Sequence, residues 1–417
     1  MEGVALQRRS LITGALVVVA VVVSLVAASR LRVGVAVAIP VALALIAVAV
    51  VTIPGLHDRH PVVLRAGVTV LLVDVGLFAT YFFPSFTNYN LAIGAAMAIA
   101  LLGLSFLTGV SGQISIGNGA FMGVGALIVA IWANHHSSTP IVVTLLIATA
   151  IGALVGLVLG LPATRLRGPY LAGMTLAFAV AFTAIVNAFS SWTGGDAGLQ
   201  LPTAVTPPHW LTSLYSSQAS QLTVSSVWLA DITIVAAGVA FFFMANLFAS
   251  RIGRSMRLVR DNDVAAELVG VSLPRARVIA FMVSAAFAAL GGGLWTLVNN
   301  SVSPPEYSLA LSITMLSLIV IGGIGTIPGA LIGGLIYAYS NTVITWFTSH
   351  TGINSQGNLA SQLPGIVFGG LLILTMIFAP LGLTGAVRRL WSHFRARRAA
   401  RLALVGTATY ARHTGNS

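Results

Sequence analysis

Apolar residues in this chain neither alternate nor form narrow stripes; they run in long blocks separated by short polar or Gly/Pro-bearing stretches. A helix crossing the hydrocarbon core of a bilayer needs roughly 20 consecutive apolar residues. Blocks of that kind occupy 11–29, 33–53, 64–83, 90–108, 116–133, 141–161, 170–189, 228–249, 277–298, 308–324, 327–347 and 363–379. The pattern predicts an all-α fold, a polytopic transmembrane helix bundle of about 10–12 spans with broken or re-entrant Gly-rich segments. The number is a range because Gly and Pro interrupt 109–120 and 299–326, and a re-entrant segment has the same hydropathy as a full span.

Composition agrees. Of 417 residues, 57% are hydrophobic and 7% charged, against about 45–50% and about 25% in soluble domains. So few charges cannot solvate a globular surface of this size, which excludes a water-soluble enzyme. All 21 basic residues are arginine. Without lysine there is no G-x-x-x-x-G-K-[ST] phosphate loop and no Schiff-base chemistry. The absence of cysteine removes disulfides, thiolate nucleophiles and Cys-ligated metals, and the eight histidines form no H-E-x-x-H pair. No catalytic, cofactor-binding or metal residues are therefore expected.

Arginine placement orients the spans, because Arg-rich loops stay on the cytoplasmic side. With the N-terminus inside, Arg8, Arg9, Arg59, Arg65, Arg165 and Arg167 fall inside, with six arginines between 251 and 277 and seven between 388 and 412; only Arg30 and Arg32 fall outside. Both termini are thus expected to be cytoplasmic. The first block could be a signal peptide, but its length and the span close behind it favour retention. The polar stretch 190–227 reads as an outside loop or a docking surface. The acid-free tail at 388–412 reads as an anchor to anionic lipid in the bilayer, with no role for nucleic acid.

Three segments depart from plain span-and-loop patterning. In GLSFLTGVSGQISIGNGAFMGVGA (103–126), glycines interrupt the apolar run together with Ser111, Gln113, Ser115 and Asn118. Small residues in a bilayer usually mark close helix packing. Polar side chains on a backbone break at membrane depth instead require burial in protein or a water-filled cavity, so these four are candidates for a solute path. The second segment, SRIGRSMRLVRDNDVAAELVGVSLPRAR (250–277), is the charge-dense internal loop. Asp261 to Asp263 can start a short helix, with Asp263 as its cap, and Gly270 followed by Pro274 can end it. Ala265, Ala266, Leu268 and Val269 would give it a small apolar face for a partner's groove, and Arg257, Arg260, Asp261 and Glu267 a charged rim. The third, NNSVSPPEYSLALSITMLSLIVIGGIGTIPGALIGG (299–334), breaks at Gly322-Gly323 and loosely echoes the glycines of 117–126.

Taken in order, GQISIGNGAF, LRGPYLAGMTLAF, TGGDAGL, VRDNDVAAELVGV, VSPPEY and IGGIGTIPGALIGG resemble the LIV-type branched-chain amino-acid ABC importer permeases, specifically the M-type permease subunit, from about Asn88 to Gly385. Asn118 stands where that family usually has His, Ala126 where it often has Tyr, and Phe106 where Asn is common. The resemblance implies a bacterial plasma-membrane protein that forms half of a translocation pathway for branched-chain or related hydrophobic amino acids. It implies a second permease subunit, two cytoplasmic ATPase subunits that hydrolyse the ATP, and an extracytoplasmic solute-binding protein. Residues 261–270 would be the coupling helix. The implied organisation is an N-terminal hydrophobic extension with two predicted spans (1–63), a permease domain (64–387, with the coupling loop at 250–277) and an Arg-rich tail (388–417).

The sequence admits two other readings. An ion-coupled secondary transporter would use ionisable groups inside the membrane; Asp74 lies mid-span and Asp231 and Glu306 near span ends, but the coupling-type loop would have no role. A rhomboid-like intramembrane serine protease is suggested by Gly109-Val-Ser111-Gly112, yet the histidines after Ser111 all fall in loops or the tail, out of reach for a general base.

Overall fold

A computed structural model describes residues 61–136, 139–166, 168–201 and 221–351, with short stretches between 369 and 389. The spans expected at 11–29 and 33–53, most of 363–379, the 202–220 part of the polar loop and the arginine tail beyond 389 lie outside the described residues.

The helices in chain order are α1 (Pro61–Phe82), α2 (Ser85–Leu104), α3 (Asn118–His135), α4 (Ile141–Ala163), α5 (Pro169–Ala188), the single turn α6 (Ser190–Thr193), α7 (Gln221–Ala249), α8 (Arg251–Asp261), α9 (Asp263–Leu268), α10 (Leu273–Asn299), α11 (Leu309–Gly322) and α12 (Ile327–Thr351). Among the described residues the only sheet is a two-residue antiparallel pair, β1 (Leu199–Gln200) with β2 (Ser301–Val302). It ties the loop after α6 to the loop after α10. Among the described residues five helical stretches, Ser85–Val110, α4, α5, Ser225–Ala249 and α10, are long and apolar enough to cross a membrane.

α10 is the axis of the bundle, packed against α2, α3 and α4. Side chains on this helix are small where neighbours approach: Ala285, Ala288, Ala289, Gly291, Gly292 and Gly293 are all buried. Gly125 of α3 lies against the Ala289 backbone and Gly292 against that of Met122, so a Cβ at either glycine would collide with main chain. In lipid there is no hydrophobic drive between helices, and close backbone approach supplies the dispersion energy that holds them. α4 shows the same logic at four-residue spacing. Ala148, Gly152, Gly156 and Gly160 are buried, while Leu146, Leu154, Val158 and Leu161 point outward, where acyl chains would cover them.

The described helices follow the hydropathy blocks to within about five residues, except that α7 starts at Gln221, before its block at 228–249; two segments differ in kind. The block at 308–324 is the 14-residue α11, which rises only about 21 Å against a hydrocarbon core of roughly 30 Å; it is a part-length helix. The charge-dense stretch from 250 onward is not a loop carrying one short helix. It is two helices in series, with Ser250 capping α8 by accepting from Gly253 N at 3.3 Å. The arginines spaced every three residues lie on the exposed side of α8, while Gly253, Met256 and Val259 face inward.

Candidate functional site

After Leu104 the helical ladder widens. Ser105–Val110 forms a π-helical turn, Ser111 N bonds Phe106 O and Gln113 N bonds Leu107 O, each at 3.1 Å, and the chain then runs without helix to Gly117 before α3 starts at Asn118. π turns place an extra residue in the helix and commonly sit at functional sites. A second break follows α11, where Gly323 and Gly325 adopt positive φ of 122° and 72°. The two breaks touch: Gly109 lies directly on the Gly325 backbone, and Ser105 Oγ donates to Thr326 O at 3.5 Å. Two interrupted helices thus meet at their interruptions.

The four polar residues of the first break are all buried, each less than a tenth exposed. Ser111 Oγ donates to Leu107 O at 2.7 Å and accepts from Gln113 Nε2 at 2.9 Å. Gln113 Oε1 is buried without a hydrogen-bond partner. Ser115 Oγ accepts from Gly117 N at 3.4 Å. Asn118 accepts from Ser284 Oγ of α10 at 3.2 Å and donates to Ala100 O of α2 at 3.5 Å. Main-chain groups released by the break also find partners, Ile116 N on Thr175 Oγ1 and Gly119 N on Ser312 Oγ, both at 3.0 Å. Satisfied polar groups of this kind let irregular backbone survive away from water.

Ser111 and Gln113 open onto a polar cavity of about 350 Å³ whose other walls include Arg260, Asp261, Asn262, Asp263 and Arg277. Two of the four path candidates therefore meet the α8–α9 segment, whereas Ser115 and Asn118 sit among α2, α10 and their own turn and do not line it. A larger cavity of about 890 Å³ between α4, α7 and α10 is walled mostly by apolar side chains such as Val235, Phe243 and Phe287. Its greater size does not make it the solute path, because polar solutes need polar partners.

The α8–α9 segment differs in three respects from its reading in sequence. First, the N-cap of α9 is Asn262, whose Oδ1 accepts from Ala265 N at 3.1 Å. Asp263 is instead the first helical residue, and its carboxylate accepts from Arg277 Nη2 at 2.9 Å. Second, Ala266 is fully buried within this chain's own core, so it cannot enter a partner's groove. The outward apolar residues are Val264, Leu268 and Val269, at 66%, 83% and 67% exposure, with Glu267 beside them and Ala265 half-buried. Third, the arginines are not a free rim. Arg257 donates to Gly253 O in the first turn of α8 and to Phe248 O at the end of α7. Arg260 donates to Gly109 O at 2.6 Å and pairs with Asp261 at 2.8 Å. Gly270, at φ 81°, ends the helix as expected.

Arg277 carries more than its sequence position suggests. It is 9% exposed and also donates to Thr164 O at 3.2 Å, joining the end of α4 to the start of α9. An arginine at a span end reads as a topology signal, and nothing in the sequence separates Arg277 from its neighbour Arg275.

Ser111 donates to a backbone carbonyl, not to a base, so the G-x-S-G tetrapeptide here has no nucleophile geometry. What the arrangement offers is a buried, interrupted polar backbone at membrane depth, next to a pair of short charged helices that present apolar side chains outward. That is the make-up of a multi-pass transport protein. The chain belongs to the family described as branched-chain amino acid transport system / permease component, which matches residues 86–376. It is 27% identical to the high-affinity branched-chain amino acid transport system permease protein LivM of Salmonella typhimurium, over 69% of this chain and 67% of that protein. It is 23% identical to LivH of the same organism, over 73% and 96%. It is 28% identical to the autoinducer 2 import system permease protein LsrC of an Enterobacter species, over 70% and 79%. No solved structure matches the chain. As a member of this family it is an inner-membrane permease subunit of an ABC importer, not an enzyme.

Proposed function

We propose that this chain forms half of the transmembrane pathway for leucine, isoleucine, valine or a related hydrophobic amino acid. Its partners are a second permease subunit, two ATPases, one of which docks on the α8–α9 segment, and an extracytoplasmic solute-binding protein. The chain works without a cofactor of its own, and its permease domain is 64–387, flanked by the 1–63 extension and the 388–417 tail. Both termini and the α8–α9 segment lie on the cytoplasmic side, as the arginine distribution favours. Ser111 and Gln113 line the cytoplasmic end of the path; Ser115 and Asn118 hold its deeper wall.

The observation that carries this reading is the shared polar cavity, where the break in α2 faces Arg260–Asp263. A paired helix presenting Val264, Leu268 and Val269 to solvent suits insertion into a groove on a soluble partner, and its contact with the break gives a route from that partner to the path. Permeases of similar sequence carry names for different cargoes, branched-chain amino acids and autoinducer 2, so the solute is tested directly. Proteoliposomes holding both permeases and both ATPases are given radiolabelled leucine with the binding protein outside and ATP inside. Uptake is expected, competed by isoleucine and valine and absent without ATP. Uptake driven by an ion gradient alone would overturn the reading.

A further inference from the structure

We propose that Arg260 is a positioning residue that holds the α2 break in place from the ATPase-docking segment, so that movement of α8–α9 is delivered to the path through one side chain. The inference rests on the function proposed above and names the residue through which that function is exerted.

Four observations converge on it. The carbonyl of Gly109 belongs to the π turn that ends α2, and Arg260 Nη1 donates to it at 2.6 Å across 151 residues of sequence. A guanidinium there meets both an otherwise unclaimed carbonyl and the negative end of the α2 dipole. Next, Gly109 is also the point where the second break rests, through the backbone of Gly325. Fixing Gly109 therefore fixes both interruptions relative to α8. Third, the methylene stem of Arg260 lies over Gly112, where a Cβ would come within 2.5 Å of Arg260 Cγ, and Gly112 has φ of 72°. The break is thus shaped to accept this side chain. Last, the guanidinium's remaining edge is taken by Asp261, through Nε at 2.9 Å and Nη2 at 2.8 Å. Asp261 has 63% of its side chain exposed, within reach of a docking partner.

The guanidinium suits this post because its planar fork can face Gly109 O and Asp261 at once, whereas an ammonium is a single point charge without that fixed geometry. A partner that competes for Asp261, or that pulls α8 outward, would shift Arg260 off the carbonyl and free the break. Arg260 bonds Gly109 O on the break and Asp261 on its own segment, its stem covers Gly112, and Asn262, Asp263 and Arg277 line the same cavity.

The test uses the assembled importer with Ser111→Cys as reporter; this chain has no native cysteine. Inverted vesicles are labelled with a membrane-impermeant maleimide with and without ATP, and ATP hydrolysed per leucine transported is measured in parallel. With Arg260 intact, labelling should respond to nucleotide. With Arg260→Ala it should become independent of nucleotide and at least about tenfold faster without ATP, the size of one lost charge-assisted hydrogen bond. ATP hydrolysis per leucine should rise several-fold while both ATPases still co-purify. Arg260→Lys should give intermediate values, and it supplies the readout if the alanine variant does not accumulate in the membrane. Wild-type stoichiometry and unchanged labelling in the variants would overturn the proposal. So would loss of ATPase co-purification, which would make Arg260 a docking residue. If the importer with Arg260 intact shows no ATP-driven uptake, the underlying function fails instead, a result distinguishable from either.

Discussion

At the residue scale the α9 turn separates what holds this chain together from what it offers to others. Ala266 is enclosed by its own bundle, and Leu268, two residues on, is among the most exposed apolar side chains described. Ala266→Trp should therefore damage the permease itself. Forcing an indole into a filled site costs about 1–3 kcal/mol, and the expected outcome is a lower Tm in detergent and reduced yield. Leu268→Asp should leave Tm unchanged and weaken ATPase co-purification instead. A variant pair that behaved the other way round would reverse the assignment of the two faces. Sequence alone could not make this assignment. In a helix of six residues, Ala265, Ala266, Leu268 and Val269 all read as one apolar patch, and nothing in their spacing says which side the rest of the chain already occupies. The choice of cap was hidden for a related reason. Asn262 and Asp263 are both good capping residues, and what decides between them is Arg277, fourteen positions away, which draws the Asp263 carboxylate into an ion pair.

At the scale of elements much more was legible. Hydropathy blocks located the long helices because the bilayer demands a fixed apolar length, and Gly with Ser, Gln and Asn marked the break after α2 because those residues do not belong in a plain lipid-facing helix. Lateral packing was less visible: α4 is apolar all round, and only its glycine spacing hints at the face that meets α10. Gly156 faces Ala285 Cβ and Phe281 O, where a Cβ would sit 2.5 and 2.8 Å away. Gly156→Leu should push α4 from α10 and cost about 1–3 kcal/mol, seen as a clear fall in Tm. Leu154→Ala, on the outward face of the same helix at 57% exposure, should change Tm little. Equal effects at both positions would mean that α4 is held by some other surface. The part-length α11 was legible in part: Gly322-Gly323 marks where it stops, but hydropathy alone does not distinguish a part-length helix from a full span.

At the scale of the whole molecule the question is where the energy for transport enters. Two carboxylates, Asp74 on α1 and Asp231 on α7, lie within apolar helices, and an ion-coupled carrier would place its coupling groups at such positions. Their setting argues for a structural role. Asp231 accepts from Thr80 Oγ1 of α1 at 2.7 Å, a part-buried contact that pins α1 to α7, and Arg65 reaches Asn246 between the same two helices at 3.1 Å. Among the described residues, Asp74 lines a groove bounded by α1 and α7. None of these residues borders the cavity beside the α2 break. Charge at the proposed path is instead concentrated where α8 and α9 meet the break, as expected if energy arrives from a soluble partner bound there. Asp231→Asn should consequently keep ATP-driven uptake within about a factor of two, since the amide can still accept from Thr80 and the net change in a hydrogen bond is modest. Collapsing the proton gradient in the proteoliposomes should leave that uptake unchanged in both forms. Were Asp231→Asn to abolish uptake while the importer stayed assembled, or were an uncoupler to stop transport at constant ATP, the α1–α7 carboxylates would be part of the energy path and the break beside Arg260 would not be its entry point.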